Sequence, residues 1–424
     1  MKTVLNKSAA PNAGGRRLFS RLQIIVLLVL GCKEQPTFHS AFFSAVEVIG
    51  RRGAGAGELN KPRSVAVDRE DNLYVVDMTG RAQKFSPKGE FISFWQMPQT
   101  DKGKPKGMCR DKDGNIVVLE PHYSRINHFT PAGQLVAQWG THGTNTGELA
   151  FPRSVAVNSR GEILVSEYGL TERVQCFALD GALSPTRPTK TSARGSAGTP
   201  HPTFVRAIGK AGDGVGEFNR AEGLGIDAQD RIYVADSCNH RIQMFSPYGE
   251  FLTTFGRAGA APGDFSYPYD VRIDAQGFQY VCEFGNSRIQ IFDPQHRFVE
   301  MLGGPGAAPG KMSNPWAIAL DSRGNLYVAD AGNHRVLKFV RRQNVTALPN
   351  TRPRFGLRWW QSEASTPLWI HGPFEPNRQF NTIARRNQSG VAASLCHRNP
   401  YKTSRFRSAE WHAAVPQVGN LPAL

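Results

Sequence analysis

One pairing of residue types recurs six times along this 424-residue chain: an acid, then an arginine four to six positions later. The pairs are Asp77 with Arg81, Glu120 with Arg125, Glu167 with Arg173, Asp236 with Arg241, Glu283 with Arg288, and Asp330 with Arg335. A carboxylate beside a guanidinium could serve acid–base or oxyanion chemistry. No reaction needs six equivalent sites, so the repetition predicts architecture: an Arg fork tying down a loop in every copy. His240 and His334 lie in the same loops and share that reading.

A second set takes one place per copy, just after the position that is usually Pro: Arg63, Lys106, Arg153, Glu222, Tyr269 and Trp316. Three consecutive basic residues face an acid and two aromatics. Cations meet negative charge, and aromatic faces stack on flat or sugar-like groups. This is the most specific candidate binding site in the chain. The Gly-rich stretches, such as GRRGAGAGEL and GKAGDGVGEF, match a dinucleotide fingerprint only loosely. That fingerprint must open a helix, and here a Pro or a strand follows. The six cysteines contain no CxxC pair, so neither a zinc ribbon nor a redox motif is available. Cys109, Cys176 and Cys282 read as core thiols, with a Cys238–Cys282 bridge between neighbouring copies as the alternative.

What positions these residues is a repeat. The acids Asp77, Glu120, Glu167, Asp236, Glu283 and Asp330 are separated by 43, 47, 69, 47 and 47 residues. The long gap is one period plus a 22-residue insertion. Within a copy the apolar pattern has period two, as in IYVAD, RIQMF and FLTTF, broken by turn residues such as DAQD and SPYG. Four short strands with tight turns make an antiparallel sheet, and one such sheet cannot bury its own apolar face. The predicted fold is all-β: a six-bladed β-propeller of four-stranded antiparallel blades. Ala45–Ile49 is a strand without a blade, and the last copy stops after three strands near Val340. The N-terminal strand is therefore expected to complete the last blade and close the ring, removing exposed edges. The tight turns share one face. The Gly-rich linkers and the loops between second and third strands share the other, which is the expected binding face.

The wording of the copies, DxxGNxYVAD, then NHRIQxF, then a PxG turn, resembles the NHL-repeat family. Asn239-His240-Arg241 and Asn333-His334-Arg335 carry its name triplet, with Arg in third place. The resemblance covers roughly residues 45–340 and implies a propeller of bacterial exported or lipoprotein type. Some proteins of this fold are enzymes. The peptidyl-hydroxyglycine lyases hold zinc through channel histidines, and streptogramin-lyase-like propellers also rely on a channel His. Zinc catalysis needs three protein ligands and an open position, yet the six post-Pro positions contain no His. The expectation is a non-enzymatic ligand- or protein-binding scaffold without a cofactor. A metal-dependent lyase or hydrolase with zinc or calcium in the channel is the alternative, and it would need a set such as His142, Glu222 and Asp270. RNA binding, as in some animal NHL domains, is a weaker alternative.

Charge argues against a nucleic-acid partner. The net charge of +16 resides in the ends: residues 45–340 carry 33 basic and 31 acidic side chains, while residues 341–424 carry 12 and 3. Nucleic-acid affinity is mostly counterion release by a basic surface. Residues 1–32 read as a signal peptide: a basic start, then the apolar LQIIVLLVLGC, too short to span a membrane. Its end, Val29-Leu30-Gly31-Cys32, resembles a bacterial lipobox, which implies lipidation at Cys32 and a membrane contact through that anchor only. Location at the cell envelope or periplasm follows, with secretion as the alternative. Residues 33–44 read as a tether, 45–342 as the propeller, 183–204 as a flexible Pro/Ser/Thr/Gly-rich insertion, and 343–424 as a basic, disordered tail. A protein, peptide or glycan is the expected partner.

Overall fold

The computed structural model describes residues 38–179 and 202–343. The expected signal peptide with Cys32, most of the expected insertion and the basic tail lie outside these residues.

Strand β1 (Phe43–Ile49) comes first. The first blade is β2 (Ser64–Val67), β3 (Leu73–Val76), β4 (Arg81–Phe85) and β5 (Phe91–Gln96). The second is β6 (Gly107–Arg110), β7 (Ile116–Glu120), β8 (Arg125–Phe129) and β9 (Leu135–Trp139). The third is β10 (Pro152–Val157), β11 (Ile163–Glu167), β12 (Arg173–Leu179) and β13 (Pro202–Ile208). The fourth is β14 (Ala221–Ile226), β15 (Ile232–Asp236), β16 (Arg241–Phe245) and β17 (Phe251–Phe255). The fifth is β18 (Pro268–Ile273), β19 (Gln279–Glu283), β20 (Arg288–Phe292) and β21 (Phe298–Gly303). The sixth has β22 (Pro315–Leu320), β23 (Leu326–Asp330) and β24 (Arg335–Arg341), and its fourth strand is β1, antiparallel to β24 with Val46 opposite Phe339. All six sheets are four-stranded and antiparallel. Each innermost strand touches the next around the ring, and β22 touches β2.

Two expected boundaries shift. The stretch expected to be a tether ends in Phe42 and Phe43, both fully buried beside Tyr280 and Phe339, because two adjacent phenyl rings gain more in the core than in water. The third blade's outer strand starts at Pro202, inside the expected insertion, with Phe204 opposite Phe177.

The core lies between blades. Val65, Val75 and Phe85 pack against Ala319, Tyr327 and Val336 across the junction of first and sixth, and every other junction has a similar cluster. The recurring Asp of the first turn explains the DxxGNxY wording. Asp68 Oδ1 accepts the amides of Glu70 and Asn72, and its Oδ2 accepts the hydroxyl of buried Tyr74 at 2.9 Å. Asp227, Asp274 and Asp321 take Tyr233, Tyr280 and Tyr327 in the same way.

Candidate functional site

The inner strands place Arg63, Lys106, Arg153, Glu222, Tyr269 and Trp316 around one end of the central channel, where all six line a cavity of about 20 Å³, room for about one water. The loops between second and third strands add Tyr168 and Phe284. A residue outside the post-Pro ring completes the group. Arg220 takes the left-handed turn, φ 69°, that Lys61, Phe151, Tyr267 and Asn314 take in other copies, and its Nε reaches Glu222. The signal available in the sequence was the break in the Pro pattern: Ala221 stands where the other copies have Pro.

Glu222 is the charge centre of this mouth, with its side chain 1% exposed. Its Oε1 accepts from Lys106 Nζ, and its Oε2 lies 3.2 Å from Arg220 Nε and 3.9 Å from Arg153 Nε. Burial opposes its ionisation, but Lys106, Arg220 and Arg153 outweigh burial and hold the carboxyl well below its usual range. The cations divide by their access to it. For Arg220 burial disfavours the charge, yet Glu222 outweighs that and the guanidinium is held above its usual value. Burial pushes Arg153 down to about 10 despite Glu222. Lys106 is pushed well below the ordinary lysine value, by burial first and by Arg153 second.

Aromatic rings hold the arginines in place. The guanidinium of Arg63 lies 4.5 Å from the Trp316 ring centre, and that of Arg153 lies 3.7 Å from Tyr168. Tyr269 stacks on Phe284 at 4.5 Å, and Trp316 meets Tyr269 edge-on at 5.7 Å. Among the described residues the side chains of Arg63 and Arg153 donate no hydrogen bond, and Arg153 Nε is buried without a partner. Buried polar groups are normally paired; Arg153 Nε is one of seven buried side-chain N or O atoms without a hydrogen-bond partner among the described residues.

Below the mouth a crosspiece bridges three blades. Asp270 accepts the amides of Val271 and Ile318, each at 2.9 Å, and Arg272 Nη1 at 2.6 Å; Arg272 Nη1 also reaches the carbonyl of Leu224. Burial pushes the Asp270 carboxyl up to about 6, against the pull of Arg272. Beyond this pair the channel widens to about 240 Å³, walled by residues such as Val65, Val157, Ile226 and Leu320.

The six acid–Arg pairs lie apart from the mouth cavity. Arg241 Nε donates to Asp236 at 2.8 Å, and its Nη2 donates to the carbonyls of Gly214 and Glu217 in the preceding linker. Arg335 does the same with Asp330, Ala308 and Lys311. Arg288 bonds Glu283 and the carbonyl of Asp264, while Arg81 lies 3.9 Å from Asp77 and bonds Ala54 and Glu58. His240 and His334 staple neighbouring blades: Nδ1 accepts the backbone N–H of Tyr267 in one case and of Lys61 in the other, both at 3.2 Å.

The set His142, Glu222 and Asp270 does not assemble. His142 Nδ1 pairs with Ser124 Oγ at 3.0 Å, and the two carboxylates are engaged by Lys106, Arg220 and Arg272. The histidine that approaches the mouth is instead His122, exposed on the loop after β7; burial and the charges of Arg153 and Arg63 lower its pKa. Among the described residues no three His, Cys, Asp or Glu side chains gather as a metal site. Cys282 is a free buried thiol, so the Cys238–Cys282 bridge is not formed. No helix among the described residues is long and apolar enough to cross a membrane.

The family model of the NHL repeat matches residues 218–245 and 312–339. These two stretches contain both Asn-His-Arg triplets. Solved structures resemble the chain in fold. A structural-genomics protein of unknown function from Bacteroides thetaiotaomicron is 15% identical, with TM-score 0.50, over 70% of this chain and 76% of that one. A streptogramin B lyase is 12% identical, with TM-score 0.48, over 71% of this chain and 98% of that one. A gluconolactonase from Xanthomonas campestris is 12% identical, with TM-score 0.48, over 73% of this chain and all of that one. At such identities the likeness concerns the fold alone.

Proposed function

The chain is an NHL-repeat propeller, and we propose that it is a non-enzymatic binding scaffold whose loop face receives an anionic group at the channel mouth. One observation carries this reading: Arg63, Lys106, Arg153 and Arg220 converge on the mouth, and Arg153 Nε is buried there without a hydrogen-bond acceptor, 3.9 Å from Glu222. A buried charge without a partner is costly. The same arrangement suits a ligand that supplies the missing acceptors. Its partner, a protein, peptide or glycan, would present that anionic group to the mouth. The N-terminal sequence supports an exported protein held at the envelope through lipid on Cys32.

Thermal unfolding of the full chain tests the mouth. Citrate, sulfate and phosphate are each compared with sodium chloride at equal ionic strength, since a ligand that binds only the folded state raises Tm. These anions raise Tm of folded proteins generally, so the site is read from the difference: at least one should raise Tm of the wild type more than that of the Arg63→Ala/Arg153→Ala double variant. Equal shifts in both proteins would remove the mouth from consideration.

A further inference from the structure

We infer that the mouth is built for a doubly charged oxyanion, phosphate or the phosphate of a phosphomonoester, held by Arg63 and Arg153 at its solvent-facing rim, since the cavity beneath has room for about one water. This rests on the reading of the mouth as an anion site and adds what kind of anion fits it.

The first argument is a count of charges. Four cations converge: Arg63, Lys106, Arg153 and Arg220. Two carboxylates face them: Glu222, with Oε1 on Lys106, Oε2 on Arg220 and Arg153 at 3.9 Å, and Glu172, which accepts the backbone N–H of Arg220 and favours its charge. Asp270 and Arg272 neutralise each other. Four cations against two carboxylates leave two positive charges in excess, so two negative charges are missing. A monoanion would leave one cation uncompensated.

The second argument is geometric. Stacking on Trp316 and on Tyr168 occupies the faces of the two guanidiniums and leaves their N–H edges as the available donors. Each edge is a planar fork that matches two oxygens of one anion. A tetrahedral oxyanion can offer oxygen pairs to two forks in different planes. A lone carboxylate has only two oxygens, in a single plane. Phe284 and Trp316, 6.2 Å apart between ring centres, add an apolar wall for an organic substituent.

The pH dependence separates charge from mere shape. The groups facing the mouth that can titrate are Lys106, Glu222, Glu172, Tyr269, His122 and Asp270, whose carboxyl burial pushes up to about 6 and whose ionisation would weaken a phosphate and sulfate alike. Glu222 stays ionised through the neutral range. His122 sheds any charge as pH rises, which would weaken every anion alike. A phosphomonoester gains its second charge near pH 6. Sulfate is doubly charged throughout and serves as the internal reference.

The experiment is isothermal titration of the full chain with phenyl phosphate, inorganic phosphate, sulfate and benzoate at fixed ionic strength. Phenyl phosphate should bind at least tenfold more tightly than benzoate at pH 7.5. Its affinity relative to sulfate should rise about tenfold from pH 5 to pH 7, following the second ionisation. Arg63→Gln and Arg153→Gln, measured separately in case one variant does not fold, should each reduce the preference for phenyl phosphate over benzoate. Inorganic phosphate binding as tightly as phenyl phosphate supports the free ion; tighter phenyl phosphate supports an organic phosphate resting on the aromatic wall. Benzoate binding as tightly as phenyl phosphate would overturn the dianion while leaving an anion site in place. No binding by any of the four, above chloride, would overturn both readings.

Discussion

Replacing Arg153 with Met should make the protein more stable and its mouth less able to bind. The side chain is 13% exposed, and burial takes its guanidinium down to about 10. At about 1.4 kcal/mol per pKa unit, keeping the charge there costs about 3 kcal/mol. Because the folded pKa is the lower one, this cost is present in full below about pH 10 and is relieved only above it. The cation–π contact with Tyr168 returns about 0.5–2 kcal/mol, and Met replaces the buried stem with apolar volume. The net gain for Arg153→Met is then about 1–2 kcal/mol, or about 2–8 °C in Tm for a domain of this size. Thermal unfolding by circular dichroism at pH 7, in chloride without multivalent anions, reads the effect. The same variant should show a smaller anion-induced rise in Tm. Sites kept for binding commonly cost stability in this way. A fall in Tm of several degrees would refute the reasoning, because it would mean that Arg153 is already compensated by groups other than Glu222.

Three further outcomes follow from the same structure. His240 and His334 accept backbone N–H groups only when Nδ1 is unprotonated, and burial lowers both pKa values. Their contribution is therefore present above the unfolded value of about 6.5 and lost as pH falls below it. Tm should drop between pH 7 and pH 5.5, and His240→Ser should flatten that drop, since Ser287 accepts the amide of Asn314 at the equivalent position of the next blade; an unchanged slope would assign the drop elsewhere. Deleting residues 43–49 should bare the edge of β24 and the core around Tyr280, giving a lower Tm and aggregation in light scattering; a truncated chain that melts like the whole would show that β1 is dispensable. Cys32→Ser should move the protein from membrane to soluble fractions, and unchanged fractionation would rule out the lipid anchor.

Much of the architecture could be read from residue order because it depends on local, repeated signals. Period-two runs, Asp-led turns and six copies at about one period imply blades, since one four-stranded sheet cannot cover its own apolar face. The ring of Arg63, Lys106, Arg153, Glu222, Tyr269 and Trp316 was legible too, because one position per copy lands on one rim of a closed repeat. Phe42 and Phe43 were misjudged: two aromatic residues beside a linker carry no periodic signal, and only the neighbouring blade shows what buries them.

Tertiary structure alone decided the charge balance at the mouth. Sequence counts three cations and one acid there, but not which cation the acid reaches. Arg220 stands before the strand, and only the closed ring brings its side chain beside Glu222, which it shares with Lys106. That sharing leaves Arg153 at 3.9 Å from Glu222 and Arg63 against the Trp316 ring. Likewise Tyr168 and Phe284 come from loops expected on the binding face, but which of their side chains meet the ring depends on the closed fold, and His122, not His142, comes near the mouth. Repetition specifies positions around a ring, because each copy obeys the same local rules. Partnership inside the ring depends on distances between copies far apart in the chain, as when Arg220 lies 3.2 Å and Arg153 3.9 Å from the same Glu222 oxygen.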